Sequence, residues 1–197
     1  MRWILIAFIF AIIGHSNAQI GVSEKIGKHQ ITADVLKPWF GNVVLTYEYL
    51  LPGNNSFGLR FGQFSTYRTP FLSFYLHEKR LGFSTELFYN FNYFQKYKER
   101  KVRLHSFGFF INCKNLDYQE VHETTKAKKV DEYHMNSISV GFLTGRKYIY
   151  YSGFTFGFFL GGGLSRCLND FKSDDSAFLF FPNGFIVKAG LEVGFSF

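Results

Sequence analysis

NGFIVKAGLEVGFSF, residues 183–197, is the stretch that decides the fold. The odd-numbered positions from 185 to 197 are all apolar, whereas the even-numbered positions are mostly small or charged. A period of two residues is that of a β-strand with one apolar face. The stretch therefore predicts a strand that reaches Phe197 and carries Lys188 and Glu192 on its polar face.

The same alternation recurs along the chain and predicts an antiparallel sheet of eight strands. They are 30–37, 42–51, 57–66, 71–77, 81–95, 132–145, 150–166 and 183–197. Clusters of turn residues or charges separate them, and they predict turns at Pro52–Ser56, at 78–80 and at 146–149. The charged segment 96–131 interrupts the alternation and is predicted to be a long extracellular loop. Ten strands are the alternative, because residues 102–112 have the composition of a further strand.

The apolar rows, which include Phe57, Leu87 and Phe158, are predicted to face outward from a closed barrel. The intervening polar face includes Ser137, Ser139 and Gly141. The interior of an eight-stranded barrel is only just wide enough for side chains to fill it, so rows of Phe, Tyr and Leu from every strand would overfill it. Outward apolar rows need lipid, and lipid accepts a sheet only when its edges are closed. We therefore expect an all-β, up-and-down transmembrane β-barrel. A soluble barrel with an apolar interior is the alternative.

The N-terminus predicts export. Met1-Arg2 precedes an apolar run from Trp3 to Gly14 and then Ser16-Asn17-Ala18, which is the pattern of a secretory signal peptide. We expect the signal at 1–18 and the barrel domain at 19–197. Without Arg2 the net charge falls from +7 to +6. In an exported chain a basic excess favours anionic lipid head groups over nucleic acid as the partner.

Several stretches resemble small, uncharacterised Gram-negative outer-membrane β-barrels of eight strands. They are 34–36 with 38–41 and 45–49, then 140–147, the glycine-rich seventh strand and the end of the chain. The aromatic residues Phe195 and Phe197 resemble the C-terminal signal of outer-membrane barrels. The resemblance implies an outer-membrane location and contact with the barrel-assembly machinery. It implies no catalytic residue, because these proteins have no agreed activity.

The polar face of the strands predicts a charged lumen. Charges in a narrow barrel must pair, because an isolated buried charge is very costly. If Leu51 pairs with Phe57 across the turn, Glu48 lies opposite Arg60, and we predict a salt bridge between them. We also expect Lys188 near Glu192 and the acids of the first two strands. A lumen filled in this way is closed to solutes, and its predicted charged residues are Asp34, Glu48, Arg60, Glu86, Lys188 and Glu192.

Two further groups lie at the predicted outer end. A basic cluster in the segment 96–131 is a candidate site for lipopolysaccharide phosphates, and a solvated loop is the alternative; its members are Lys96, Lys98, Arg100, Lys101 and Arg103. Cys113 and Cys167 both fall on the oxidising side, where a disulfide between them is possible. Sequence alone does not establish the approach of their Cα atoms.

We expect a structural or surface-interaction role for a monomer, through the extracellular loops and with an unknown partner. A lipid A-modifying enzyme is the first alternative, since His105-Ser106, His134 with Ser137, and Glu132 supply the residue types of nucleophilic catalysis. Their spacing matches no nucleophile–base motif, so we predict no catalytic residue. A small selective channel is the second alternative. We predict no cofactor and no metal site, because the histidines are scattered.

Overall fold

The computed structural model describes residues 26–37, 42–66, 78–98, 101–124, 127–169 and 184–197. Eight antiparallel strands close into a barrel in chain order, which confirms the predicted all-β, up-and-down barrel of eight strands. The strands are β1 His29–Asp34, β2 Asn42–Leu50, β3 Asn55–Thr66, β4 Glu78–Lys98, β5 Lys101–Thr124, β6 Ala127–Tyr150, β7 Phe154–Cys167 and β8 Gly184–Ser196.

The barrel closes where β8 pairs with β1, from Gln30↔Ser196 to Asp34↔Glu192. One further pair of backbone hydrogen bonds joins His29 and Phe197, at 2.8 and 2.9 Å. The aromatic rings of these two residues stack, with centroids 5.8 Å apart. The strand predicted from the last residues is therefore the element that completes the sheet.

The apolar rows face outward, as predicted. Outward-facing large hydrophobic residues on all eight strands have between 36% and 69% of their surface exposed, for example Ile31, Leu87 and Val187. The intervening positions are largely buried, among them Thr32 and Glu192. In the described part of the chain, no helix is long and apolar enough to cross a membrane.

The number of strands is as predicted, but β5 was not predicted and β6 is longer than the predicted strand at 132–145. Residues 101–124 form β5 and residues 127–150 form β6, so the prediction of a long loop at 96–131 is wrong. The ten-stranded alternative fails as well, because the apolar stretch 102–112 is simply the first half of β5. The strand predicted at 71–77 lies outside the described residues.

The two ends of the barrel differ. We call the end that carries residues 26–28 and Phe197 the terminal end; it also holds the tight turns between β2 and β3 and between β6 and β7. Gly53 and Asn54 take φ of 89° and 67° in the first of these turns, a region that suits Gly and Asn. The opposite end, the far end, carries the connections after β1, β3, β5 and β7. The turns predicted at 78–80 and 146–149 are wrong, since those residues lie within β4 and β6.

A hairpin projects at the far end. The pairing of β6 with β7 stops at Ser137↔Cys167, whereas β5 and β6 continue for ten further pairs, from Asn115↔Asn136 to Thr124↔Ala127. At about 3.4 Å per residue, this extension is about 34 Å long. Most of the charged segment 114–131 therefore belongs to this extension, along which β4 accompanies β5 as far as Glu78↔Glu120.

Candidate functional site

The lumen holds a chain of alternating charges. Arg60 donates through Nη2 to Glu192 Oε1 at 2.9 Å and through Nη1 to Glu86, which also accepts from Lys188. Glu86 faces Arg60 directly across β3 and β4, so adjacent strands supply this contact. Thr46 Oγ1 donates to Glu192 Oε1 at 3.2 Å and accepts from Arg60 Nε at 3.1 Å.

A second ion pair lies nearer the terminal end. Lys147 Nζ donates to Glu48 Oε2 at 2.5 Å and to Gln30 Oε1 at 3.0 Å. Ser56 and Asn90 donate to the other oxygen of Glu48 at 2.5 and 3.4 Å. The two carboxylate oxygens of this buried residue are therefore both hydrogen-bonded, which is the condition for burying a charge at tolerable cost.

The predicted charges are all buried or half-buried in the barrel, but the predicted partners are wrong. The register places Thr46 opposite Arg60 and Gly58 opposite Glu48, two residues from the predicted alignment. Arg60 consequently reaches Glu86 and Glu192, while Glu48 takes Lys147. The predicted neighbour of Lys188 was Glu192, yet its ion pair is with Glu86.

Lys147 is a charged lumen residue that was not predicted from the sequence. Beside Arg146 it was assigned to a turn, whereas it lies inside β6 and is buried. The signal was present, since 147 has the parity of Ser137, Ser139 and Gly141, which were assigned to the polar face. Asp34 stands apart from the charge chain: its Oδ1 accepts from the backbone N of Leu36 and Lys37, at 3.0 and 3.3 Å, just past the end of β1.

Apolar side chains fill much of the remaining lumen. At the terminal end, Ile26 from the segment before β1 packs with five buried residues, namely Leu50, Phe94, Val102, Leu104 and Ile149. A second cluster contains Phe88, Phe110 and Leu143. The Arg60 Cζ atom lies 4.3 Å from the ring centroid of Phe159, and Lys188 Nζ lies 4.0 Å from that of Phe110. Such cation–π contacts add to the ion pairs in holding these cations.

A cavity of about 30 Å³ lies between the ion pairs, bordered by Glu48, Arg60, Lys147 and Glu192. That volume accommodates about two water molecules, and the four charged groups supply the polar partners that ordered water requires. The arrangement of charges and rings therefore describes a filled interior. Among the described residues, no group of three His, Cys, Asp or Glu side chains is placed to hold a metal ion.

The basic cluster lies at the terminal end, opposite to the predicted location. Lys98 pairs with Lys101 and Lys96 with Val102, so the connection between β4 and β5 is short and lies beside the chain termini. Arg100 falls outside the described residues. Lys101 and Arg103 have the parity of the outward-facing Phe107 and Phe109 and therefore lie on the outer wall.

The disulfide that the sequence left possible between Cys113 and Cys167 is not formed. Cys113 is opposite Ile138 on β6, and Ile138 is opposite Arg166 on β7, so a whole strand separates the two cysteines. Two strand spacings amount to about 10 Å, beyond the roughly 7 Å Cα separation that a disulfide tolerates. Cys113 also has the parity of the outer face, whereas Cys167 has that of the buried Ser165.

The candidate catalytic pairs are separated by the barrel wall. His134 is exposed and Ser137 is buried with the lumen parity, and consecutive His105 and Ser106 point to opposite faces. His134 instead contacts Asp117, with Nδ1 2.5 Å from Oδ1, on the outside of the projecting hairpin. Neither histidine is thus placed beside the serine with which it was considered.

A scan against protein-family models found no match, and searches of the curated proteins and of the solved structures found no similar protein.

Proposed function

We propose that this chain is an outer-membrane β-barrel with a closed, charge-paired lumen. The observation that carries the proposal is the outer surface, on which all eight strands expose large apolar side chains. A soluble protein rarely exposes apolar patches larger than a few hundred Å². A closed barrel with this band satisfies every backbone group internally, as lipid requires.

The orientation follows from the connections. Transmembrane barrels have short turns on the periplasmic side and longer connections outside. The terminal end, with its tight turn at 51–54, then faces the periplasm, and the projecting hairpin faces the exterior. We infer a structural or surface-interaction role for the far end, where β5 and β6 extend beyond the last pair of β6 with β7 and carry the exposed residues Asp117 and His134.

Limited trypsin digestion of intact cells tests location and orientation together. Lys128 and Lys129 lie at the start of β6, beside the hairpin tip, and Lys98 and Lys101 flank the connection at the terminal end. We expect cleavage at the first group in intact cells and at the second only after the outer membrane is permeabilised. The unheated protein from the membrane fraction should run as a compact species on electrophoresis and lose that mobility on heating.

Two results contradict the proposal in different ways. Cleavage at 98–101 in intact cells would reverse the orientation. If the protein is soluble after lysis and shows no heat-dependent shift, it is not a membrane protein. Its apolar outer surface would then need a protein partner. Stepwise conductance in planar bilayers would favour the channel alternative over the closed lumen, and acyl release from labelled lipid A would favour the enzyme.

A further inference from the structure

We propose that the outer wall at the terminal end binds the phosphate of an anionic phospholipid in the adjacent leaflet. The site consists of Lys101, Arg103 and His105 on β5 together with Arg146 on β6. This inference rests on the proposed membrane location and names a lipid partner for it. It differs from the lipopolysaccharide site predicted from sequence, because the proposed orientation puts this end in the periplasmic leaflet.

The four residues form one patch because the strands hold them in register. His105 faces Arg146 across β5 and β6, and Arg103 and Lys101 follow opposite Tyr148 and Tyr150. Arg146 Nε approaches His105 Nδ1 at 3.4 Å. Arg103 Nη2 donates to Gln95 on β4, which keeps the guanidinium on the outer wall.

Tyrosines beside the patch indicate its level relative to the lipid head groups. Lys101 Nζ lies 5.3 and 5.4 Å from the ring centroids of Tyr148 and Tyr150, and His105 adjoins Tyr93 with centroids 6.5 Å apart. Tyrosine is enriched where a membrane protein meets the head groups, because its ring is apolar and its hydroxyl is polar. Basic groups at this level lie where lipid phosphates are found, with Phe107 and Phe142 continuing the apolar wall beyond them.

The described acidic residues lie away from the patch. Among the described residues, every Asp and Glu lies either in the lumen or on the far-end parts of β4, β5 and β6. Within that same part of the chain, Arg146 forms no ion pair, and its hydrogen-bond partner is another basic residue. A phosphate beside Arg146 would supply it with a counterion, and a guanidinium can bind two phosphate oxygens at once.

Native mass spectrometry of the refolded full-length mature chain in neutral detergent tests the site. Phosphatidylglycerol is titrated against phosphatidylcholine. The site variants are R103Q and R146Q, and the control is R166Q, which removes an exposed arginine at the far end of β7. We expect the wild type to retain phosphatidylglycerol preferentially. Each terminal-end substitution should weaken that retention about fivefold, the contribution typical of one basic side chain beside an anionic membrane surface, and R166Q should leave it unchanged.

The heat-dependent mobility of each variant separates the possible failures. If the variants run as folded barrels and retain phosphatidylglycerol as the wild type does, the lipid site is refuted while the membrane proposal stands. If the wild type itself shows no folded, detergent-bound species, the membrane proposal falls and the site falls with it. Inorganic phosphate at the ionic strength of a sodium chloride control should not displace the lipid. Displacement by phosphate alone would overturn the assignment to a phospholipid.

Discussion

Replacing Glu86 by Gln should destabilise the barrel more than any single change on its outer polar surface. Glu86 has 1% of its side chain exposed and is the carboxylate that Arg60 and Lys188 share. The amide keeps the size of the side chain and removes its charge. Two cations that are mostly enclosed by protein then lose a counterion.

The structure sets the expected magnitude. Removing one partner of a buried ion pair typically costs about 3–5 kcal/mol. Arg60 keeps Glu192 at 2.9 Å, and 22% of the Lys188 side chain is exposed, so water can solvate part of its charge. Both features reduce the cost, and we expect the free energy of unfolding to fall by about 3 kcal/mol, the lower limit of that range.

Urea unfolding in lipid vesicles, followed by the folded fraction on unheated gels, measures this difference. Glu132→Gln is the matched control, the same chemical change at an exposed position, and should alter stability by less than about 0.5 kcal/mol. Adding Lys188→Gln to Glu86→Gln should recover about 1 kcal/mol, because contacting residues are not additive. A loss below about 1 kcal/mol for Glu86→Gln would refute the reasoning, since the network would then behave like a solvated surface pair.

Three further changes test the second ion pair, the outer wall and the cysteines. Lys147→Met should lower the free energy of unfolding by about 3 kcal/mol in the same urea assay, because it leaves Glu48 buried without its cation. Adding Glu48→Leu should restore most of the loss, because no buried charge of this pair then remains. Leu87→Arg should cost about 2–4 kcal/mol in vesicles and Leu87→Ala clearly less; equal small effects would mean that Leu87 faces water. Non-reducing and reducing gels should give the same mobility, and any shift that Cys113→Ser or Cys167→Ser abolishes would show a disulfide that the structure lacks.

The faces of the strands are predictable from the sequence, because alternation is a local property. Phe57, Leu87 and Phe158 were assigned to the outer face from their neighbours alone, and the structure places them there. The lumen charges could be listed in the same way. Which of them pair could not be predicted, since pairing depends on the register between strands. A shift of one strand by two residues keeps every face and changes every partner.

The bounds of β5 and β6 could not be predicted for a different reason. Charges at 114–131 exclude a strand only if that strand crosses lipid, and sequence alone does not say where a barrel wall ends. Because 96–131 was predicted to be an extracellular loop, the basic residues at 96–103 were assigned to the outer end instead of the terminal end. Lys147 was not predicted to face the lumen because Arg146-Lys147, which follow Gly145, also fit a turn, and a turn was predicted at 146–149.

The seam between β1 and β8 has a consequence for biosynthesis. His29 and Phe197 are hydrogen-bonded neighbours although nearly the whole barrel sequence lies between them. Until β8 has been synthesised and has reached β1, both strands present open edges. The barrel therefore cannot close before β8 is available, whichever of the other strands have already paired.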